Sequence, residues 1–250
     1  MAIKIYTEQD FEGLRKAGHL AREVLDFIEP YVKVGVSTLY LNDLCHNFIV
    51  EHGAIPAPLN YEGFPKSTCI SVNHVVCHGI PSANKILQEG DILNIDITVI
   101  LNGYYGDTSR MYFAGKPSIK AKRLCDVTKE ALNIGIELAK PGNTIGDIGY
   151  AIQKYVEKQG YSVVRDFCGH GTGKIFHDEP NVPHFGKKGD GPVIKPGMVF
   201  TIEPMVNTGS WEVNISRVDG WTTTTRDRSW SAQYEHTLGI TNDGCEIFTI

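Results

Sequence analysis

Polar and apolar side chains alternate along Ile92-Leu93-Asn94-Ile95-Asp96-Ile97-Thr98-Val99-Ile100-Leu101, which puts Asn94, Asp96 and Thr98 on one face. That period of two, in a run rich in β-branched residues, predicts a strand. Asn102-Gly103 follows and Tyr104-Tyr105 restarts an extended run, the pattern of a hairpin closed by a two-residue turn. With such a turn Leu101 faces Tyr104, Thr98 faces Asp107 and Asp96 faces Ser109. Asp96 and Asp107 then lie on the same sheet face as diagonal neighbours, roughly 5–8 Å apart at the backbone.

Helical periodicity marks other stretches, and it occurs twice at one spacing. Gly35 and Gly142, 107 residues apart, each open a segment that closes on a glycine 18 residues later, Gly53 and Gly160. Leu41, Phe48 and Ile49 in the first segment correspond to Ile148, Tyr155 and Val156 in the second, keeping one apolar helical face. Ser37 and Thr144 stand where N-caps belong, and the closing glycines where a C′ residue belongs. Upstream, Glu23-Val24-Leu25 corresponds to Glu130-Ala131-Leu132; downstream, Gly90 corresponds to Gly197, Ile92 to Val199, Ile95 to Ile202 and Asp96 to Glu203. Two copies are too few for a stacked repeat array, and the join at Gly115-Lys116-Pro117-Ser118 is a turn rather than a linker. The pattern predicts one α+β domain over residues 1–250, built from two pseudo-symmetric α-α-β-β halves, roughly 10–115 and 116–250, with helices covering a shared sheet.

Composition narrows the class without choosing a function. The 250 residues are 42% apolar and 21% charged, ordinary values for a globular chain. Against 24 basic side chains stand 29 acidic ones, a net charge of −5; a nucleic-acid partner would favour a basic excess. Six cysteines without a CxxC pair fit free thiols in a reducing compartment. The first residues have no apolar leader core, and the longest apolar run is broken by Asn94, Asp96 and Thr98. A secreted or membrane protein is therefore not expected, and the cytoplasm is.

Two aspartates converging on one face of an apolar hairpin are costly unless a cation sits between them, or unless that face is open to solvent. The repeat favours the cation, because Glu203 occupies the place of Asp96 in Val199-Phe200-Thr201-Ile202-Glu203-Pro204. Glu235 adds a fourth acid in the extended run Gln233-Tyr234-Glu235-His236-Thr237-Leu238. Four acids at the symmetry axis call for more than one divalent ion. A nitrogen ligand is available at His170, in Cys168-Gly169-His170-Gly171, where flanking glycines let the backbone come close. Carboxylates with one imidazole suit Mn(II), Fe(II), Co(II) or catalytic Zn(II) rather than a closed thiolate site. A pair of such ions lowers the pKa of a shared water, so the spacing points to a dinuclear metallohydrolase.

At this constellation the chain resembles the type I methionine aminopeptidases, members of the pita-bread peptidases. The matching stretches are Pro65-Lys66-Ser67, Val75-Val76-Cys77-His78-Gly79-Ile80-Pro81, Gly106-Asp107-Thr108, Cys168-Gly169-His170-Gly171, Phe176-His177-Asp178-Glu179-Pro180, Phe200 to Met205 and Ser231 to Thr237. The resemblance implies a pita-bread fold with a curved, mostly antiparallel sheet. It implies removal of an N-terminal methionine ahead of a small second residue, by attack of a metal-bridging hydroxide on the first peptide bond. Asp96, Asp107, His170, Glu203 and Glu235 would ligate two divalent ions (cobalt, manganese, iron or zinc), with Asp107 and Glu235 bridging, and the substrate's α-amine would meet the ion held by Asp96. Glu203 would handle the proton, His177 polarise the scissile carbonyl and His78 contact the substrate. Tyr61, Phe64, Cys69, Phe176 and Trp221 fall on the methionine pocket, and backbone oxygens at Asn73, Val75 and Ser231 on a sodium or potassium site. A cytoplasmic monomer is implied, acting on nascent polypeptides with a transient ribosome contact. His19, His46, His52, His74 and His184 are left as structural.

Pro58 and Phe64 depart from the family's usual cysteine and tyrosine, and Thr172 from its apolar residue, while all five ligand positions keep their type. The nearest rivals are X-Pro aminopeptidases and prolidases, which use the same ligands but usually carry a further N-terminal domain for which 250 residues leave no room. A metal-free binding protein of the same fold has no reason to keep four converging acids.

Overall fold

The computed structural model describes residues 2–250. Helix α1 (Glu8–Ile28) begins at Thr7, where the Asp10 N–H donates to the Thr7 hydroxyl and the Thr7 N–H to the Asp10 carboxylate, a reciprocal cap that satisfies two otherwise free backbone donors. Ser37 caps α2 (Thr38–Glu51), Ser118 caps α3 (Ile119–Leu138) and Thr144 caps α4 (Ile145–Lys158). The two helices of each half therefore lie where the repeat predicts.

The internal correspondence extends to individual hydrogen bonds. Isolated bridges join Ser37 to Ile86 and Thr144 to Val193, each pair 107 residues from its counterpart. Gly35 N–H donates to the Leu87 carbonyl at 2.9 Å, and Gly142 N–H to the Ile194 carbonyl at 3.2 Å. Both glycines adopt positive φ, 88° and 91°, a conformation that costs a residue with a β-carbon strain.

All paired strands run antiparallel. Ile92–Leu101 pairs with Tyr104–Phe113 in the predicted register, Asp96 opposite Ser109 and Thr98 opposite Asp107; on its other side lie Cys69–Val72 and Ile55–Pro56. In the second half Val199–Ile202 lies between His236–Ile240 and Gly169–Gly171, which continues to Asp178–Val182. The halves meet where Glu235 N–H donates to the Ser109 carbonyl at 3.1 Å.

Alternation sorts the hairpin's side chains between core and site. Leu93, Ile95, Ile97 and Val99 pack with α1 and α2 residues such as Ala21, Val24, Leu25 and Leu41. A second core joins α3 and α4 to Phe200, Ile202, Leu238 and Ile240. Most of each half's helical apolar face packs within that half, while Phe11 and Leu14 of α1 pack on Val199 and Phe248 of the other, and the polar face of the 92–101 strand looks into a cavity lined by Asp96 and Thr98.

One expected extended run is interrupted. Ser231–Gln233 and His236–Ile240 are separate strands, with Tyr234 and Glu235 between them. Likewise Val199–Ile202 ends before Glu203-Pro204 and Met205–Asn207 begins after it. Pro204 cannot donate to a ladder, and Glu203 N–H leaves its ladder to donate to His184 Nε2 at 3.0 Å.

Candidate metal centre

Asp107, Glu203 and Glu235 are each held by hydrogen bonds from neighbouring strands or the segments between them. Asp107 lies across from Thr98, whose hydroxyl donates to its Oδ1 at 2.7 Å. Thr237 donates to the Asp107 carbonyl and Thr108 to the Glu235 carbonyl, both at 2.7 Å. These reciprocal bonds clasp one half against the other at Asp107 and Glu235. Glu203 receives the Thr201 hydroxyl at 2.8 Å on Oε1 and the Gln233 amide at 3.1 Å on Oε2, so both of its oxygens are oriented.

His170 sits between glycines with no room for side chains. A β-carbon at Gly169 would overlap the Thr201 carbonyl, and one at Gly171 the Glu179 carbonyl. The Thr201 hydroxyl accepts from His170 N–H at 3.0 Å while donating to Glu203, so one hydroxyl ties two candidate ligands together. His170 Nδ1 is 3.1 Å from the Gly171 carbonyl, which only accepts; Nδ1 therefore carries a proton, and Nε2 is left as the ligating nitrogen. Nε2 lies 3.5 Å from Asp107 Oδ2 and 3.6 Å from Glu203 Oε1.

The electrostatics identify what belongs among these groups. One donor atom from each of Asp107, His170 and Glu235 lies within 4.8 Å of the others. Burial, reinforced by neighbouring carboxylates, holds Asp96 and Glu235 well above the usual carboxylate range. Glu203 is pushed up to about 7, by burial first and against the pull of His170. Among the described residues none of the four acids pairs with a lysine or arginine; His170 is the nearest counter-charge. Buried carboxylates without a cation are strongly disfavoured, and hard oxygen donors with one imidazole match the divalent ions named above. The residues fit a divalent-ion site, with Asp107, His170 and Glu235 at its centre.

Around this cluster is a cavity of about 470 Å³, lined by all five candidate ligands and by His78, His177, Tyr61, Phe64, Cys69, Phe176 and Trp221. Phe64 meets Trp221 edge-on at 5.3 Å and Tyr61 meets Phe176 at 4.8 Å. His177 Nδ1 is 2.9 Å from the Tyr61 hydroxyl, and the rings of His170 and His177 are 4.3 Å apart. Pro58 also lines the cavity, as do Cys77, Met205 and Gln233, which the sequence did not single out.

Asn73, Val75 and Ser231 lie outside that lining. They adjoin one another at the turn between Cys69–Val72 and Val75–Cys77, where Ser231 N–H donates to the Asn73 carbonyl at 2.8 Å. The Ser231 hydroxyl is buried with no hydrogen-bond partner among the described residues.

Buried neutral histidines give the molecule a pH dependence. Burial pushes His184 down to about 3 and His236 down to about 4, and His236 Nδ1 lies 2.8 Å from the Thr249 hydroxyl. As pH falls from the ordinary histidine value of 6.5 toward 4, the unfolded chain takes up protons that the folded chain does not, so stability falls. His236→Gln removes one such site. Wild type is expected to lose up to about 1.4 kcal/mol more stability per pH unit than this variant across that window, read as diverging melting curves; parallel curves would contradict it.

A family model described as metallopeptidase family M24 matches residues 12–242. The chain is 61% identical over 250 residues to the methionine aminopeptidase of Rickettsia prowazekii (strain Madrid E), covering 100% of this chain and 96% of that protein. Identity to the methionine aminopeptidase of Escherichia coli (strain K12) is 55% over 251 residues, covering 100% and 95%. The crystal structure of methionine aminopeptidase from Rickettsia prowazekii matches with a TM-score of 0.99 at 61% identity over the whole of both chains.

Proposed function

The chain belongs to metallopeptidase family M24, and from that premise we propose that it is a methionyl aminopeptidase of pita-bread fold. It removes the N-terminal methionine of nascent proteins and peptides whose second residue is small. The observation that carries this reading is the buried five-ligand cluster opening onto an aromatic pocket. Asp96, Asp107, His170, Glu203 and Glu235 would hold two divalent ions of cobalt, manganese, iron or zinc. When bound, such a pair supplies Lewis acidity and a hydroxide nucleophile at neutral pH.

The chain's own groups handle the protons. Glu203, whose two oxygens are held by the Thr201 hydroxyl and the Gln233 amide, takes a proton from the nucleophile and returns it to the leaving amine. His177 is pushed down to about 4, by desolvation first and by His170 next, and stays neutral at pH 7. Because its Nδ1 faces the Tyr61 hydroxyl, Nε2 is the nitrogen left to donate to the scissile carbonyl oxygen, where charge develops. His78, pushed down to about 4 by burial, is likewise neutral and meets the substrate beside Trp221, 5.8 Å from that ring.

Tyr61, Phe64, Phe176 and Trp221 form the methionine pocket, a set of edge-on rings against which a flexible thioether packs well. Its size works against branched or bulky side chains. Cys69 lines it as a thiol, since burial holds its pKa well above the ordinary value. The partnerless Ser231 hydroxyl supports an alkali ion, sodium or potassium, at the backbone oxygens of Asn73, Val75 and Ser231.

This reading puts the enzyme in the cytoplasm as a monomer, acting on chains leaving the ribosome through a transient contact. No helix among the described residues is long and apolar enough to cross a membrane. Incubating the protein and Mn(II) or Co(II) with Met-Ala-Ser, Pro-Pro and Ala-Pro peptides tests the assignment. Methionine release from Met-Ala-Ser is expected to predominate, and preferential cleavage of the proline peptides would overturn it.

A further inference from the structure

The segment that carries Phe176 and His177 has little ladder of its own. Residues 172–177 lie between the strands Gly169–Gly171 and Asp178–Val182 and belong to neither. Its ties include Tyr105 N–H donating to the Gly173 carbonyl at 2.8 Å, His177 Nδ1 at 2.9 Å from the Tyr61 hydroxyl, and a set that runs to the N-terminal residues. The Lys174 N–H donates to the Tyr6 hydroxyl at 3.2 Å, and Lys174 Nζ lies 2.6 Å from Asp10 Oδ1. Past His177, Lys4 Nζ lies 2.9 Å from Asp178 Oδ2, on a side chain only 5% exposed. Burial raises the Asp178 carboxyl, while pairing with Lys4 and the Glu179 N–H together bring it below its ordinary value.

The N-terminal residues are themselves anchored across two glycines. Tyr6 N–H donates to the Gly197 carbonyl at 2.7 Å, and a β-carbon at Gly197 would run into Ile5. A β-carbon at Gly173 would run into the Tyr6 ring, and Gly173 has a φ of 142° that favours glycine. The bend is thus clamped on both sides of the residues it presents to substrate. Tyr6 holds it two to three residues before Phe176, and Lys4 holds it one residue after His177.

We infer that Lys4 and Tyr6 are positioning residues for the reaction: they strap the 173–178 bend so that His177 and Phe176 meet the scissile carbonyl and the methionine side chain. This rests on the roles proposed above for those two residues. A donor displaced by about 1 Å loses much of its effect on the barrier, up to roughly a hundredfold in rate. A strap that narrows the positions of His177 therefore acts on turnover without touching substrate.

The test compares wild type with Lys4→Met/Tyr6→Phe at saturating Mn(II), reading kcat and KM on Met-Ala-Ser, Mn(II) affinity by calorimetry, and amide hydrogen exchange. The double variant is expected to lose about tenfold in kcat, with a smaller change in KM and unchanged Mn(II) affinity. Exchange should rise about tenfold in residues 173–178 and not in α1–α4, and Lys4→Arg with Tyr6 intact should restore kcat. If the double variant does not fold, Lys4→Met alone is read in the same way. Wild-type kcat, unchanged exchange in 173–178, or a loss that accompanies weaker Mn(II) binding or exchange throughout the chain would each overturn the inference. If wild type itself releases no methionine, the functional reading fails while the exchange arm still decides whether the strap exists.

Discussion

Glutamine at position 203 is expected to reduce kcat on Met-Ala-Ser by about 10²–10⁴-fold, the usual contribution of a positioned acid–base group. The replacement keeps the shape: Thr201 still has an oxygen to donate to and the backbone N–H still donates to His184 Nε2, while the second carboxylate oxygen, which accepts from Gln233, is lost. What it removes is the negative charge and the ability to carry a proton. A carboxylate held at both oxygens by Thr201 and Gln233 can accept and give a proton, and an amide does neither. Because the strand ends before this position, folding should be unaffected, and circular dichroism should match wild type. Near-wild-type kcat in Glu203→Gln would refute the proton-handling role.

Alanine at position 170 is expected to cost turnover on the order of a thousandfold, by a different route. The substitution leaves the His170 backbone N–H bonded to Thr201 and removes the one imidazole set between Asp107 and Glu203, at 3.5 Å and 3.6 Å. Loss of an outer partner of a metal ligand commonly weakens binding by about 10–100-fold, and loss of the ligand itself should exceed that. Calorimetric titration with Mn(II) should show one of two binding events weakened and the other, held by Asp96 with the shared acids, retained. Two tight events, or full activity, would exclude His170 from the centre.

The sequence made part of this centre legible for a definite reason. Alternation along Ile92–Leu101 and the Asn102-Gly103 turn together leave one register, so Asp96 and Asp107 could be placed on one face before any coordinates, and Asp96 does lie opposite Ser109. The repeat was readable because capped helices and glycine turns are local signals, and the bridges at Ser37–Ile86 and Thr144–Val193 preserve its spacing. Glu203 and Glu235 were legible in identity but not in setting: both sit in breaks between strands, created by Pro204 and by the Ser109 bridge. The supports of the acids were not legible at all. Gln233 reaches Glu203 across 30 residues and Thr237 reaches Asp107 across 130, and neither contact leaves a periodic trace in the chain. His184, expected to be structural, is buried and accepts the backbone N–H of Glu203, a role visible only after folding. Lys4 and Tyr6 belong to no helix or strand, so nothing in their pattern announces the segment they hold.

Two halves of one chain would share a dinuclear centre that neither could build alone. Anomalous diffraction from crystals of the protein grown with Mn(II) tests it most directly. Two anomalous peaks are expected in the cavity, both touching Asp107 and Glu235, one also touching Asp96 and the other His170 and Glu203. A single peak, or peaks away from these five side chains, would contradict it.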